Sequence, residues 1–154
     1  MENLTEKASQ HQKSIYFCAV SLIIASAFST YPGVILMKFY QSNLMGFWPS
    51  RLELIPYYIV ILGMSTFMTG LFGIVVTQLQ NKMAWIVLSL FMSMNFLAQI
   101  GSIVMGLEIK SAIEATRIKK LMVFNACTGT ILAIIELISV ILACAMIRIL
   151  RKMF

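Results

Sequence analysis

A single acidic residue inside a long apolar run is the feature of this sequence with the most chemistry to offer. Glu136 lies near the middle of the run Met122–Ile147. A carboxyl at the centre of a bilayer costs roughly 2.5–3.5 kcal/mol to insert, so such residues usually face a partner inside a bundle or carry protons or ions. We therefore expect Glu136 to be buried between helices, where it either locks their packing or forms part of a conduction path.

Two amide side chains in the preceding apolar run are candidate partners of this glutamate. Asn95 lies near the centre of the run Met83–Leu107, and Gln99 follows about one helical turn later. If both helices are centred in the same membrane, Asn95 and Glu136 lie at nearly the same depth, and Gln99 lies within about 6 Å of that depth. The sequence therefore predicts an intramembrane polar lock of Asn95, Gln99 and Glu136, in which a hydrogen bond between helices stabilises the bundle by roughly 0.6–2 kcal/mol.

Four apolar runs must position these side chains, and each is long enough to cross about 30 Å of hydrocarbon. The predicted spans are Ile15–Met37, Leu54–Leu79, Met83–Leu107 and Met122–Ile147. The chain is 60% hydrophobic and 12% charged, whereas roughly a quarter of the residues of a soluble domain are charged. We expect an all-α integral membrane protein, a four-helix transmembrane bundle, with a polar N-terminal tail at 1–14 and a basic C-terminal tail at 148–154.

Small residues recur at intervals of three and four positions along three of the runs. Helices in lipid associate through close approach at such residues, because the burial of apolar surface contributes little there. We expect these residues to form packing seams, and we expect the seam of the first run to accept a helix of a partner. The seam residues are Ser21, Ala25, Ser29 and Gly33 in the first run, Gly63, Thr66, Gly70 and Gly73 in the second, and Gly129 and Ala133 in the fourth.

Other kinds of site lack their residues in this sequence. Haem is usually held by histidine, and the single histidine, His11, lies in the polar tail. Glu136 is the only acid within a predicted span, so a carboxylate metal cluster lacks members. The basic residues behind the net charge of +6 flank the apolar runs, which argues against a nucleic-acid surface. We expect no enzymatic activity, no cofactor and no bound metal.

The pattern of small and polar residues resembles that of two families of small membrane organisers. The residues similar to the membrane-spanning four-domain (B-lymphocyte-antigen-like) family are Thr69-Gly70, Asn95, Ala98, Gly101 and Glu136-Leu137. Those similar to the tetraspanins are Thr69-Gly70-Leu71-Phe72-Gly73, Gln80-Asn81-Lys82, Gln99 and Glu136, but the chain lacks the tetraspanins' Cys-Cys-Gly motif and large outer domain. The first resemblance implies a plasma-membrane protein that assembles with itself or with a larger receptor or channel, and it implies no catalytic residue.

The sequence predicts a non-enzymatic membrane scaffold or accessory subunit, assembled through its transmembrane helices as a homo-oligomer or with a larger membrane protein. The alternative is a small oligomeric channel that conducts ions or protons through Glu136. An even number of spans places both termini on one side, and the 12 Lys and Arg residues divide equally between the two sides. The basic cluster that directly follows the last span favours cytosolic termini.

Overall fold

Four long α-helices make up the described part of the chain. The computed structural model describes residues 2–41, 54–79, 81–112 and 116–153. The helices are α1 (Glu2–Gln41), α2 (Ile55–Gln78), α3 (Lys82–Ala112) and α4 (Thr116–Met153). All four are long and apolar enough to span a membrane, which confirms the prediction of an all-α chain with four apolar helices. Of the predicted segments, Met1, Gln80 and Phe154 lie outside the described residues.

The helices form a ring in which each packs on two neighbours. Both α1 and α3 contact α2 and α4. The contact between α2 and α3 is the least extensive of the four, although a short turn joins these two helices. In that turn the Asn81 side chain accepts a hydrogen bond from the Met83 N–H at 2.9 Å, as a residue that caps the first turn of a helix does. The ring N–H of Trp85 donates to the Leu79 carbonyl at 3.2 Å.

The first and last helices, α1 and α4, extend well beyond the length of a membrane span. α1 has 40 residues and α4 has 38, which corresponds to about 60 and 57 Å at 1.5 Å per residue. Ala8 belongs to the same buried cluster as Met146 and Leu150 of α4. The polar segment predicted as a separate tail is therefore part of α1 from Glu2 onward, because α4 offers it apolar contacts that an isolated tail would lack.

Glycines of α2 allow a close approach to α1. A β-carbon on Gly63 would overlap the side chain of Thr30. A β-carbon on Gly70 would lie 3.0 Å from the carbonyl oxygen of Ala19 and 2.8 Å from a side-chain carbon of Ile23. Both contacts are shorter than ordinary van der Waals packing, so only glycine fits at this helix separation.

Candidate functional site: a buried polar layer

Polar side chains from three helices meet at one level of the bundle. Glu136 of α4 and Thr66 of α2 are fully buried, and Asn95 of α3 and Thr69 of α2 are each 5% exposed. We call this group, together with the half-buried Ser65, the polar layer. Its members from α2 are neighbours on consecutive turns of one helix, so α2 connects the polar residue of α3 to that of α4.

Asn95 uses both ends of its amide to bind α2. Its Oδ1 accepts a hydrogen bond from Ser65 Oγ at 2.9 Å, and its Nδ2 donates to Thr69 Oγ1 at 2.8 Å. The Thr69 hydroxyl in turn donates to the Ser65 carbonyl at 2.9 Å. Asn95 therefore joins α3 to α2 with two hydrogen bonds at the least extensive helix contact of the bundle.

Glu136 makes a single long contact with α2. Its Oε1 lies 3.5 Å from Thr66 Oγ1, while the same hydroxyl donates to the Leu62 carbonyl at 3.0 Å. A hydroxyl has one proton and two lone pairs. Because the single hydroxyl proton of Thr66 is shared between two acceptors and the bond to Leu62 is the shorter, the contact with Glu136 Oε1 is the weaker of the two. The second carboxyl oxygen, Oε2, has no hydrogen-bond partner among the described residues.

The predicted hydrogen bond from Asn95 or Gln99 to Glu136 is not formed in the structure. Asn95 reaches the predicted level but points toward α2, with both amide ends in use there. Gln99 lies beside Gly129, where its Oε1 is 3.4 Å from the position that a β-carbon would take. Gly129 precedes Glu136 by about two turns, or roughly 10 Å along α4. Gln99 therefore lies too far along the bundle to reach the carboxyl, and its Nε2 has no partner in the described part of the chain.

A polar contact between α3 and α4 that was not predicted lies elsewhere along these helices. Asn125 Nδ2 donates to Ser102 Oγ at 3.2 Å, and both side chains are buried. The signal was present in the sequence, because Asn125 precedes Gly129 by four residues and so continues the predicted seam of α4. Tyr58 adds a further contact that spacing did not predict, since its hydroxyl donates to the Ala98 carbonyl at 2.8 Å.

The predicted seams lie mostly inside the bundle. The seam residues that are buried are Ser29, Gly33, Gly63, Thr66, Gly70, Gly73, Gly129 and Ala133. Gly33 faces α2, where a β-carbon on it would lie 3.0 Å from the Pro56 carbonyl. Only Ser21 and Ala25 remain partly exposed. The seam of the first run is predicted to accept a partner helix, but two of its four residues, Ser29 and Gly33, are buried within the bundle.

Ser21 and Ala25 border an open groove between α1 and α4, which we call the α1–α4 groove. Its central part has a volume of about 360 Å³. The residues that line it are Ser21, Ile24, Ala25, Phe28, Phe124, Thr128 and Ile131. Small side chains of both helices form part of the lining, and large apolar ones project beside them.

Neither a metal cluster nor a known relative adds to this description. Within the residues that the structure describes, no three His, Cys, Asp or Glu side chains are grouped so that they could hold a metal ion. Comparison of the chain with protein-family models, with curated protein sequences and with solved structures found no match. The resemblances therefore rest on the residues alone, and the polar layer and the α1–α4 groove have to be interpreted from their own chemistry.

Proposed function

We propose that this protein is a non-enzymatic membrane scaffold or accessory subunit that assembles through its transmembrane helices with itself or with a larger receptor or channel, in the plasma membrane. The observation that carries this proposal is that some polar and small residues join helices within the bundle, while others face outward. Asn95 and Asn125 bind neighbouring helices of the same bundle, whereas Ser21 and Ala25 border a groove that opens outward.

The central part of the α1–α4 groove has the character of a helix-docking surface. Ser21, Ala25 and Thr128 offer small side chains on two adjacent helices, flanked by large apolar ones. A helix in lipid gains from close approach to small residues and from hydrogen bonds to hydroxyls, since the surrounding lipid already satisfies apolar surface. A transmembrane helix of a second copy, or of a larger membrane protein, is the occupant that this surface favours.

Filling the groove should release the partner. Ala25→Phe places an aromatic ring among the small side chains of the groove. We expect the variant to lose the co-purifying partner and to have a smaller particle mass in mild detergent. Ile61→Phe is the control, because Ile61 is 66% exposed on α2, outside the groove. Equal recovery of the partner with Ala25→Phe and with the wild-type chain would show that assembly does not use this surface.

Conduction of protons or cations is the second candidate function, and one observation favours it. Glu136 Oε2 and Gln99 Nε2 are both buried without a hydrogen-bond partner among the described residues. Buried polar atoms without partners are uncommon, and in a membrane helix they are typical of ion or proton pathways. The polar layer and the Asn125–Ser102 contact would then be successive polar sites along a conduction path through the interior of the bundle.

The substitution Glu136→Gln separates the two functions. Glutamine keeps the shape of the side chain and can still contact Thr66, so a scaffold should keep its thermal stability to within about 0.6 kcal/mol, the typical value of one hydrogen bond between membrane helices. Proton and cation flux into liposomes containing the purified wild-type and variant chains would be measured alongside. A flux that the wild-type chain supports and Glu136→Gln abolishes would establish conduction in place of scaffolding.

The direction of insertion stays a prediction. Cytosolic termini are expected from the basic cluster at the end of α4, which includes Arg148, Arg151 and Lys152. Protease protection of tags placed at each terminus, in sealed cells, measures the orientation directly.

A further inference from the structure

The α1–α4 groove continues from its central part into a second cavity with different chemistry, which we call its basic end. This cavity has a volume of about 420 Å³, within the range of small-molecule sites. Its lining residues are Tyr31, Ile35, Arg117, Lys120, Leu121 and Phe124. Phe124 also lines the central part, so the two cavities are adjacent along α1 and α4.

The basic end lies where the apolar part of α4 begins. Arg117 and Lys120 are in the first two turns of α4, immediately before the long apolar run. Both side chains are exposed. From Arg117 to Ile131 the groove covers about 21 Å of helix axis at 1.5 Å per residue. One leaflet contributes roughly 15 Å of hydrocarbon, half of the bilayer core. The groove is thus long enough to follow a lipid chain from the headgroup region to the bilayer centre.

The charge around this cavity is positive. Lys38, in the last turn of α1, and Lys119 lie at the same end of the bundle as Arg117 and Lys120. Among the described residues of this end, Glu108 is the one acidic side chain. A ligand with negative charge at the rim therefore matches the described charges of this end.

An anionic lipid matches both the apolar walls and the basic rim of the cavity. The walls that Tyr31, Ile35 and Phe124 provide are apolar, so a soluble anion such as phosphate would leave them without a partner. A zwitterionic lipid would cover the walls, but its headgroup has no net negative charge to match Arg117 and Lys120. Basic pockets between transmembrane helices are known to hold anionic headgroups.

We propose that the basic end of the α1–α4 groove is a binding site for an anionic phospholipid. Arg117 and Lys120 bind the headgroup, and one acyl chain lies between α1 and α4 against Ile35, Leu121 and Phe124. This inference goes beyond the scaffold function and does not depend on it, since Arg117 and Lys120, which bind the headgroup, line only the basic end.

The site has a consequence for orientation. Anionic phospholipids are concentrated in the cytosolic leaflet. Occupancy in cells therefore requires the end of the bundle that carries Arg117 and Lys120 to face the cytosol, which is the opposite of the orientation expected from the terminal basic cluster. Protease protection that places both termini in the cytosol would overturn the anionic phospholipid as the occupant in cells.

The binding test compares two lipids and two pairs of substitutions. The purified full-length chain in mild detergent is titrated with phosphatidylserine and with phosphatidylcholine of the same acyl chains, and bound lipid is counted by native mass spectrometry. We expect the wild-type chain to prefer phosphatidylserine, and we expect the double variant Arg117→Gln/Lys120→Gln to weaken phosphatidylserine binding roughly thirtyfold, from the attraction of about two basic residues near an anionic headgroup.

A matched control removes the same charge from the other end of the bundle. Arg148 and Arg151 are exposed like the groove residues, and Arg148→Gln/Arg151→Gln should leave phosphatidylserine binding within about twofold of the wild-type value. Both double variants replace exposed side chains, and unchanged helical content by circular dichroism verifies that they fold.

Four results of this binding test would also overturn the proposal. They are equal affinity for the two lipids, an equal loss with Arg148→Gln/Arg151→Gln, displacement of phosphatidylserine by inorganic phosphate at similar concentration, and a change of particle mass with Arg117→Gln/Lys120→Gln without any change in lipid binding. The third result would assign the rim to a soluble anion, and the fourth would assign the groove to a second copy of the chain.

Discussion

The Gly63→Ala variant should unfold at a markedly lower temperature than the wild-type chain in detergent. We expect its free energy of unfolding to fall by about 1–3 kcal/mol, the usual cost of overpacking. The added β-carbon would overlap the Thr30 side chain and would also crowd its Cβ at 3.2 Å and its Cα at 3.3 Å. Rotation of the Thr30 side chain cannot move these two atoms, so α1 and α2 must separate by a few tenths of an ångström. Thermal denaturation followed by circular dichroism measures the loss.

The same substitution at Gly101 is the control. A β-carbon there would meet only the Tyr58 hydroxyl, at an ordinary contact distance of 3.5 Å. Alanine favours a helix over glycine by roughly 0.8–1.0 kcal/mol, so Gly101→Ala should be neutral or stabilising. Adding Thr30→Ala to Gly63→Ala removes the atom that overlaps most and should recover part of the loss. Equal behaviour of Gly63→Ala and Gly101→Ala would contradict the close approach of α1 and α2.

Asn95→Ala should be the most destabilising of the polar substitutions. We expect the free energy of unfolding to fall by about 1–3 kcal/mol, because two hydrogen bonds are lost and a small cavity is left. Asn95 binds Ser65 and Thr69 across the least extensive helix contact. Few other interactions there can compensate, so we expect α3 to loosen from α2. Unfolding by increasing fractions of a denaturing detergent gives the change in free energy.

Asn125→Ala provides the matched comparison for Asn95→Ala. Both asparagines are buried and lose the same atoms, but Asn125 has one hydrogen bond of 3.2 Å across the more extensive contact of α3 with α4. Asn125→Ala should therefore lower the free energy of unfolding less than Asn95→Ala does, by about the value of one hydrogen bond, roughly 0.6 kcal/mol. In a double-mutant cycle, Thr69→Val should cost little once Asn95 is already alanine. Equal losses for Asn95→Ala and Asn125→Ala would mean that the additional hydrogen bond of Asn95 contributes nothing measurable.

The four long apolar helices and the level of the polar residues along them could be predicted because they depend on one helix at a time. A run of 20 or more apolar residues sets the length of a span, and a rise of 1.5 Å per residue sets how deep each side chain lies. The burial of Glu136 follows from the cost of exposing a carboxyl to lipid. Asn95 and Glu136 do lie at one level, since both contact the turn of α2 that carries Thr66 and Thr69.

The ends of the outer helices depended on neighbouring helices. Residues 2–14 of α1 are polar by composition, and the sequence predicted a tail there. Ala8 packs in the cluster that contains Met146 and Leu150, so the helix continues because α4 also continues past the apolar run. Such mutual support cannot be derived from either segment alone.

What the sequence by itself determined is the number of long apolar helices, the approximate limits of α2 and α3, and the burial and level of Glu136, Asn95 and the seam glycines. Only the tertiary structure decided which side chain each of them contacts. A helix turns about 100° per residue, so the neighbour that a side chain meets depends on the rotation and axial shift of every helix in the ring. The contacts at Gly63 and Gly70 set that shift for α1 and α2. As a result the hydroxyls of α2 bind Asn95 and Glu136, and Gln99 faces Gly129.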